Sequence, residues 1–188
     1  LEHRGAVSAD GKTGDGAGIL IEIPHDFLVT QCDFALPALH QYAVGMVFLP
    51  KKENQRTYCI GVFESEIEKQ GLNILGWRKV PVNPEVVGSI AAQTEPYIMQ
   101  AFIGRGATDL SDHEFNIKLF SARKIAEHTI SNSKLSEASY FYLPSLSTHT
   151  SNFGHKWFLA IASFSSAMYP DRRISSIRSR SGPGMVSS

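Results

Sequence analysis

Short apolar runs alternate with longer amphipathic stretches along the chain, and that alternation sets out its elements. Gly18 to Ile23 alternates and then runs apolar up to Pro24, the pattern of a buried strand. Pro24 opens a short helix, because proline is tolerated in a first helical turn, and Phe27 and Leu28 are placed to pack. Tyr42 to Leu49 forms a second strand, ended by Pro50-Lys51-Lys52. From Gln55 to Gln70, residues Tyr58, Cys59, Val62, Phe63 and Ile67 recur at helical spacing, with Glu64, Glu66, Glu68 and Lys69 facing water and Gly71 ending the helix. Leu72 to Val82 is a third strand with an interruption at Gly76-Trp77, and Pro84 to Gln93 a further helix. Tyr97 to Ile103 is the fourth strand, closed by Gly104-Arg105-Gly106.

The helix from Ser111 is the best-signalled element. Ser111 and Glu114 sit three apart as a capping box, and Phe115, Leu119, Ala122 and Ala126 mark one face. A last strand is expected over Ser139 to Leu146. Taken as pattern alone, strands alternating with helices indicate a layered α/β domain with a mostly parallel sheet.

Composition narrows the partners. A chain of 188 residues suits one domain with a real core, and eighteen basic residues balance eighteen acidic ones. A general attraction for nucleic acid or for an anionic membrane is therefore not indicated. The two cysteines, Cys32 and Cys59, have no metal-like spacing and cannot build a disulfide framework, which fits a reducing, intracellular setting. No run is apolar enough to span a bilayer, and Leu1 to Gly18 lacks the apolar region of a signal peptide. The character changes near residue 151: residues 163 to 188 hold nine serines and four arginines, a composition unsuited to a packed core. Residues 151–188 are expected to be a divergent Ser/Arg-rich tail, either a disordered extension or the product of a shifted reading frame.

Chemistry concentrates in the first eighteen residues. Glu2, His3 and Arg4 precede Gly5, and Gly14-Asp15-Gly16-Ala17-Gly18 leads straight into the first strand, so backbone and side-chain donors can close on a small polar ligand. Arg4 offers a planar fork suited to a carboxylate, or alternatively caps the last carbonyls of a helix ending at Leu1-Glu2-His3. His3 suits a catalytic, packed or helix-capping role. A dinucleotide site is excluded because these glycines precede a strand instead of following one, and no Lys-Ser or Lys-Thr follows them as in a phosphate-cradling loop. Gly104-Arg105-Gly106 reads as a short turn between strand and helix, with an anion-binding loop as the alternative, His128, His149 and His155 lack metal-ligand spacing, and Trp77 and Trp157 read as packing residues.

Several stretches together resemble one family. His3-Arg4-Gly5 followed by Thr13-Gly-Asp-Gly-Ala-Gly-Ile19 is similar to the type-2 glutamine amidotransferase domain at the front of glutamate synthase large subunits. So are Tyr42-Ala-Val-Gly-Met-Val-Phe-Leu-Pro50, Leu75-Gly-Trp-Arg-Lys-Val-Pro-Val82, Phe102-Ile-Gly-Arg105 and Tyr140-Phe-Tyr-Leu-Pro-Ser-Leu-Ser-Thr148, so the resemblance covers residues 1–150. It implies an α+β fold, a partial N-terminal-nucleophile type four-layer sandwich with two antiparallel sheets between helical layers. This contradicts the parallel sheet suggested by pattern alone.

The resemblance also implies glutamine as ligand, with His3, Arg4, Gly5, Asp15 and Gly16 binding it or supporting its site. The family's nucleophile is an N-terminal cysteine whose own α-amine acts as base, and an internal Cys32 or Cys59 cannot copy that arrangement. The chain begins with Leu1, so it is expected to be a fragment that is inactive alone. In the parent enzyme the ammonia released would convert 2-oxoglutarate to glutamate, with FMN and a [3Fe-4S] cluster bound elsewhere and electrons supplied by a small subunit or ferredoxin. No cofactor or metal is expected within this segment. The setting implied is cytoplasmic, or a plastid in a eukaryote. The alternatives are a non-catalytic module binding glutamine or glutamate, and a purely structural domain.

Overall fold

A computed structural model describes residues 19–107 and 109–153. Six strands and four α-helices follow in chain order: β1 (Ile19–Glu22), α1 (His25–Gln31), β2 (Tyr42–Leu49), α2 (Glu53–Lys69), β3 (Asn73–Lys79), α3 (Ser89–Gln93), β4 (Tyr97–Gly104), α4 (Asp112–Ser131), β5 (Leu146–Ser147) and β6 (Thr150–Phe153). Every strand pair described is antiparallel: β3-β4-β2-β5 form one sheet, and β1 pairs with β6 in a second, two-stranded one. The parallel sheet suggested by strand–helix alternation is therefore corrected. Periodicity marks which face of a strand is buried, and carries nothing about strand direction.

The long strand β2 is buried on both faces, which divides the molecule into layers. Ala43, Val47 and Leu49 point to one side, where they meet Cys59, Phe63 and Ile67 of α2 and Phe115, Leu119, Ala122 and Ala126 of α4. Tyr42 and Val44 point to the other, onto Ile23 and Leu28, while Met46 and Phe48 on that same face meet Ile21. The order is thus a helical layer, the four-stranded sheet, and then α1 with the β1–β6 ribbon. The resemblance anticipates helices and antiparallel sheets in an α+β arrangement, as observed.

Local chemistry explains the element boundaries. The capping box at Ser111 is complete: the Ser111 hydroxyl accepts from the Glu114 backbone N–H, and the Glu114 carboxylate accepts from the Ser111 N–H at 3.0 Å. Gly71 ends α2 with a φ of 74°, a left-handed conformation that glycine adopts without strain. The Gly76-Trp77 interruption is a register shift in the β3–β4 ladder between Ile74 and Gly76.

Other expectations need correction. The helix expected over Pro84 to Gln93 divides into a 3-10 turn, Pro84–Val86, and α3, because the Asn83 side chain closes the first turn and Gly88 is extended. Ser139 to Leu146 is not one strand. Ala138–Tyr140 is a 3-10 turn, Tyr142 makes an isolated bridge to Phe48, and Pro144, which has no N–H to donate, precedes the two-residue β5. On α2, Glu66 is buried and holds Lys69 at 2.6 Å, whereas Tyr58 is exposed, so the apolar stripe is narrower than its spacing suggests.

Candidate functional site

His3, Arg4, Gly5, Asp15 and Gly16 all lie outside the described residues. So does the expected tail 151–188 beyond Phe153, with His155 and Trp157, while Ser151, Asn152 and Phe153 belong to β6. What the structure does describe is β1, which follows the candidate residues directly in the sequence. Its Ile19, Leu20, Ile21 and Glu22 pair with Phe153, Asn152, Ser151 and Thr150. The Ile23 N–H donates to the His149 carbonyl at 3.0 Å, so the strand is tied at its end to the β5–β6 crossover. Ile21 and Ile23 pack onto the sheet.

Where β1 leaves the ribbon, a cleft of about 490 Å³ is lined by Glu22, Ile23, His25, Asp26, Phe27 and Leu39 among others. The His25 Nδ1 lies 3.0 Å from the hydroxyl of Tyr42, a fully buried residue whose hydroxyl is pushed up to about 12, first by burial and then by nearby Cys32. Carboxylates and an imidazole offer acceptors for an ammonium group. No guanidinium lines this cleft among the described residues, so a carboxylate ligand would find no planar fork there.

The cysteines sit as the sequence suggests. Cys59 is fully buried between α2 and the sheet, and burial pushes its thiol up to about 11. Cys32 is half-buried after α1; burial raises its thiol, the Arg78 guanidinium opposes the shift, and Asp33 adds to it. Neither is poised as a thiolate. Arg78 itself is committed, donating to the Gln100 side chain at 2.8 Å.

A second polar cluster escapes the sequence reading. Arg105, expected in a short turn, is largely enclosed and donates to the carbonyls of Leu110 and His40 and to the Asp112 carboxylate. That pairing holds Asp112 below the usual carboxylate range, by hydrogen bond first and by charge second. His40, at a left-handed φ of 69°, stacks on His149 with ring centroids 4.6 Å apart. The only sequence signal was Gly104-Arg105-Gly106; the two histidines belong to distant segments, and nothing in their spacing links them. Among the described residues no group of three or more His, Cys, Asp or Glu could hold a metal ion.

The model of the family described as "Glutamine amidotransferases class-II" matches residues 1–176. The chain belongs to the class-II glutamine amidotransferases. Within that family it is 41% identical over 152 residues to the glutamate synthase [NADPH] large chain of Bacillus subtilis, covering 80% of this chain and 10% of that protein. It is 37% identical over 145 residues to ferredoxin-dependent glutamate synthase 1, chloroplastic/mitochondrial, of Arabidopsis thaliana, covering 75% of this chain and 9% of that one. To glutamate synthase [NADH] of Saccharomyces cerevisiae it is 35% identical over 162 residues, covering 80% of this chain and 7% of that protein. The chain thus spans about a tenth or less of the length of the curated relatives it matches. No described helix of this amidotransferase chain is long and apolar enough to cross a membrane.

Proposed function

We propose that this chain is part of the glutaminase domain of a glutamate synthase, and that glutamine binds against the loop Leu1–Gly18. The observation that carries this reading is the family match through residues 1–176, supported by a described β1 that begins directly after Gly18 in the sequence. In this reading Arg4 holds the α-carboxylate of glutamine through its planar guanidinium. Asp15 and Gly16 form the wall beside the reacting carboxamide, with His3 and Gly5 shaping the turn before it. The rest of a longer chain completes a four-layer sandwich around this ligand.

The same reading assigns reductive amination of 2-oxoglutarate to other parts of the longer protein. FMN and a [3Fe-4S] cluster supply the redox chemistry there, with electrons from a small subunit or from ferredoxin. The name of one relative, ferredoxin-dependent glutamate synthase 1 of Arabidopsis thaliana, supports ferredoxin as the donor.

Glutamine hydrolysis needs a thiol activated by an adjacent base. Cys59 is buried, and both its thiol and that of Cys32 are raised. The 188-residue chain is accordingly expected to release no ammonia from glutamine above a buffer blank, and measurable release would overturn the inactivity assigned to it. Calorimetry with glutamine and with glutamate separates this reading from a stand-alone binding module, which would bind one of them at millimolar concentration where an incomplete site binds neither.

A further inference from the structure

Arg78, on the outer strand β3 of the four-stranded sheet, is half-buried, yet it takes part in none of the ion pairs among the described residues. Its guanidinium packs against the Phe27 ring of α1, with Cζ 5.7 Å from the ring centroid, and donates through Nη1 to Gln100 Oε1 at 2.8 Å. That bond uses one of its five N–H groups. Burial holds the guanidinium below its usual pKa, with nearby Cys32 opposing the shift. A half-buried cation without a carboxylate is costly, and an incoming anion relieves that cost.

Gln100 shows what the fold gives up to keep Arg78 in place. It is 1% exposed, and its Nε2 has no hydrogen-bond partner. Turning the amide over would set Nε2 against the Arg78 donor, so the bond to Arg78 fixes the orientation that leaves Nε2 alone. An unpaired buried donor opposes folding, and the fold tolerates it here while presenting the guanidinium at β3.

Arg78 lines a cleft of about 590 Å³ together with Gln31, Asp33, Trp77, Lys79 and Pro81. Two cations and one carboxylate leave its lining net positive. The charges of Arg78 and Asp33 both reach Cys32, yet the two side chains form no ion pair with each other, so the guanidinium stays open. We propose that this cleft binds a small dianion, a phosphate monoester or a dicarboxylate, with the planar fork of Arg78 holding two of its oxygens and Lys79 supplying a second positive charge. Glutamine carries no net charge, and glutamate carries an ammonium group that the two cations repel; both are held at least about tenfold more weakly. Asp33 opposes the anion and limits its affinity. The site consists of described residues alone and does not rest on the glutamine reading.

The chain has two tryptophans, and W157F leaves Trp77, in the cleft wall, as the single indole reporter. Its emission is followed at about pH 7.5 and constant ionic strength while inorganic phosphate or succinate, both largely dianionic there, replaces chloride. A saturable change with at least one of them is expected, half-complete at about 1–10 mM. A response to phosphate alone assigns the phosphate monoester, to succinate alone the dicarboxylate, and to both the whole class. R78Q is expected to weaken binding at least about tenfold, and R78K, which keeps the charge but loses the fork, by about threefold. D33N removes the opposing carboxylate and is expected to tighten binding by about threefold, a gain that damage to the fold would not produce. No saturable change with either anion, an unaltered affinity in R78Q, or binding that D33N fails to tighten overturns the site. So does a change that glutamine reproduces at the same concentration.

Discussion

The indole N–H of Trp77 on β3 donates to the Glu64 carboxylate on α2 at 2.7 Å, while the Trp77 ring meets Phe63 edge-on with centroids 5.8 Å apart. One side chain thus ties the sheet to the helical layer through both a polar and an apolar contact. W77F keeps most of the ring packing and deletes the donor, leaving a half-buried carboxylate unpaired. A loss of about 1–2 kcal/mol is expected by urea unfolding, with a smaller loss for E64Q, which keeps an acceptor.

Gly106 is held at a φ of 75°, and its N–H donates to the Asn73 side chain at 2.9 Å. A Cβ at this position would run into the carbonyl oxygen of Gly71, which is backbone and cannot swing aside. G106A combines that clash with a left-handed alanine and is expected to destabilise the chain by about 2 kcal/mol or more, read as a lower thermal midpoint.

The two thiols differ in access more than in acidity. Both are raised by burial, yet Cys59 is fully enclosed and Cys32 only half so. Alkylation of the folded chain with iodoacetamide, followed by peptide mass spectrometry, is expected to modify Cys32 at least about tenfold faster than Cys59. In denaturant the two rates converge.

Tyr42 makes the fold sensitive to alkali. Its hydroxyl is raised to about 12 in the folded chain, above the value of about 10 for an unfolded tyrosine. The folded state therefore keeps a proton that the unfolded state loses, so this contribution is complete below about pH 10 and declines as pH rises toward 12. Y42F loses the hydrogen bond with His25 and is less stable at neutral pH by about 1 kcal/mol. The difference between the two proteins is expected to shrink between about pH 10 and about pH 12. A difference that stays constant over that range would show that the phenol is not responsible.

Much of the layer structure was legible in the chain itself. The apolar run of β2 matches its observed bounds because both its faces are buried, and α4 was readable because its cap and its stripe are local signals at fixed spacing. The family was legible too, through His3-Arg4-Gly5 and the glycine-rich run Gly14–Gly18. The failures are equally specific. Glu66 looks solvent-facing until Lys69 folds over it, and Tyr142 looks like part of a strand until Pro144 ends the ladder.

By itself, then, the sequence determined where β2, β4, α2 and α4 form, because hydrophobic period and capping act over a few residues. It also determined the family, because that signal lies in short contiguous motifs. Only the tertiary structure decided that β1 pairs with β6 apart from the four-stranded sheet, that Arg105 is a largely enclosed hub, and that His40 rests on His149. Those relationships join residues far apart in the chain, where no local spacing encodes contact and only the packing of whole layers brings the groups together.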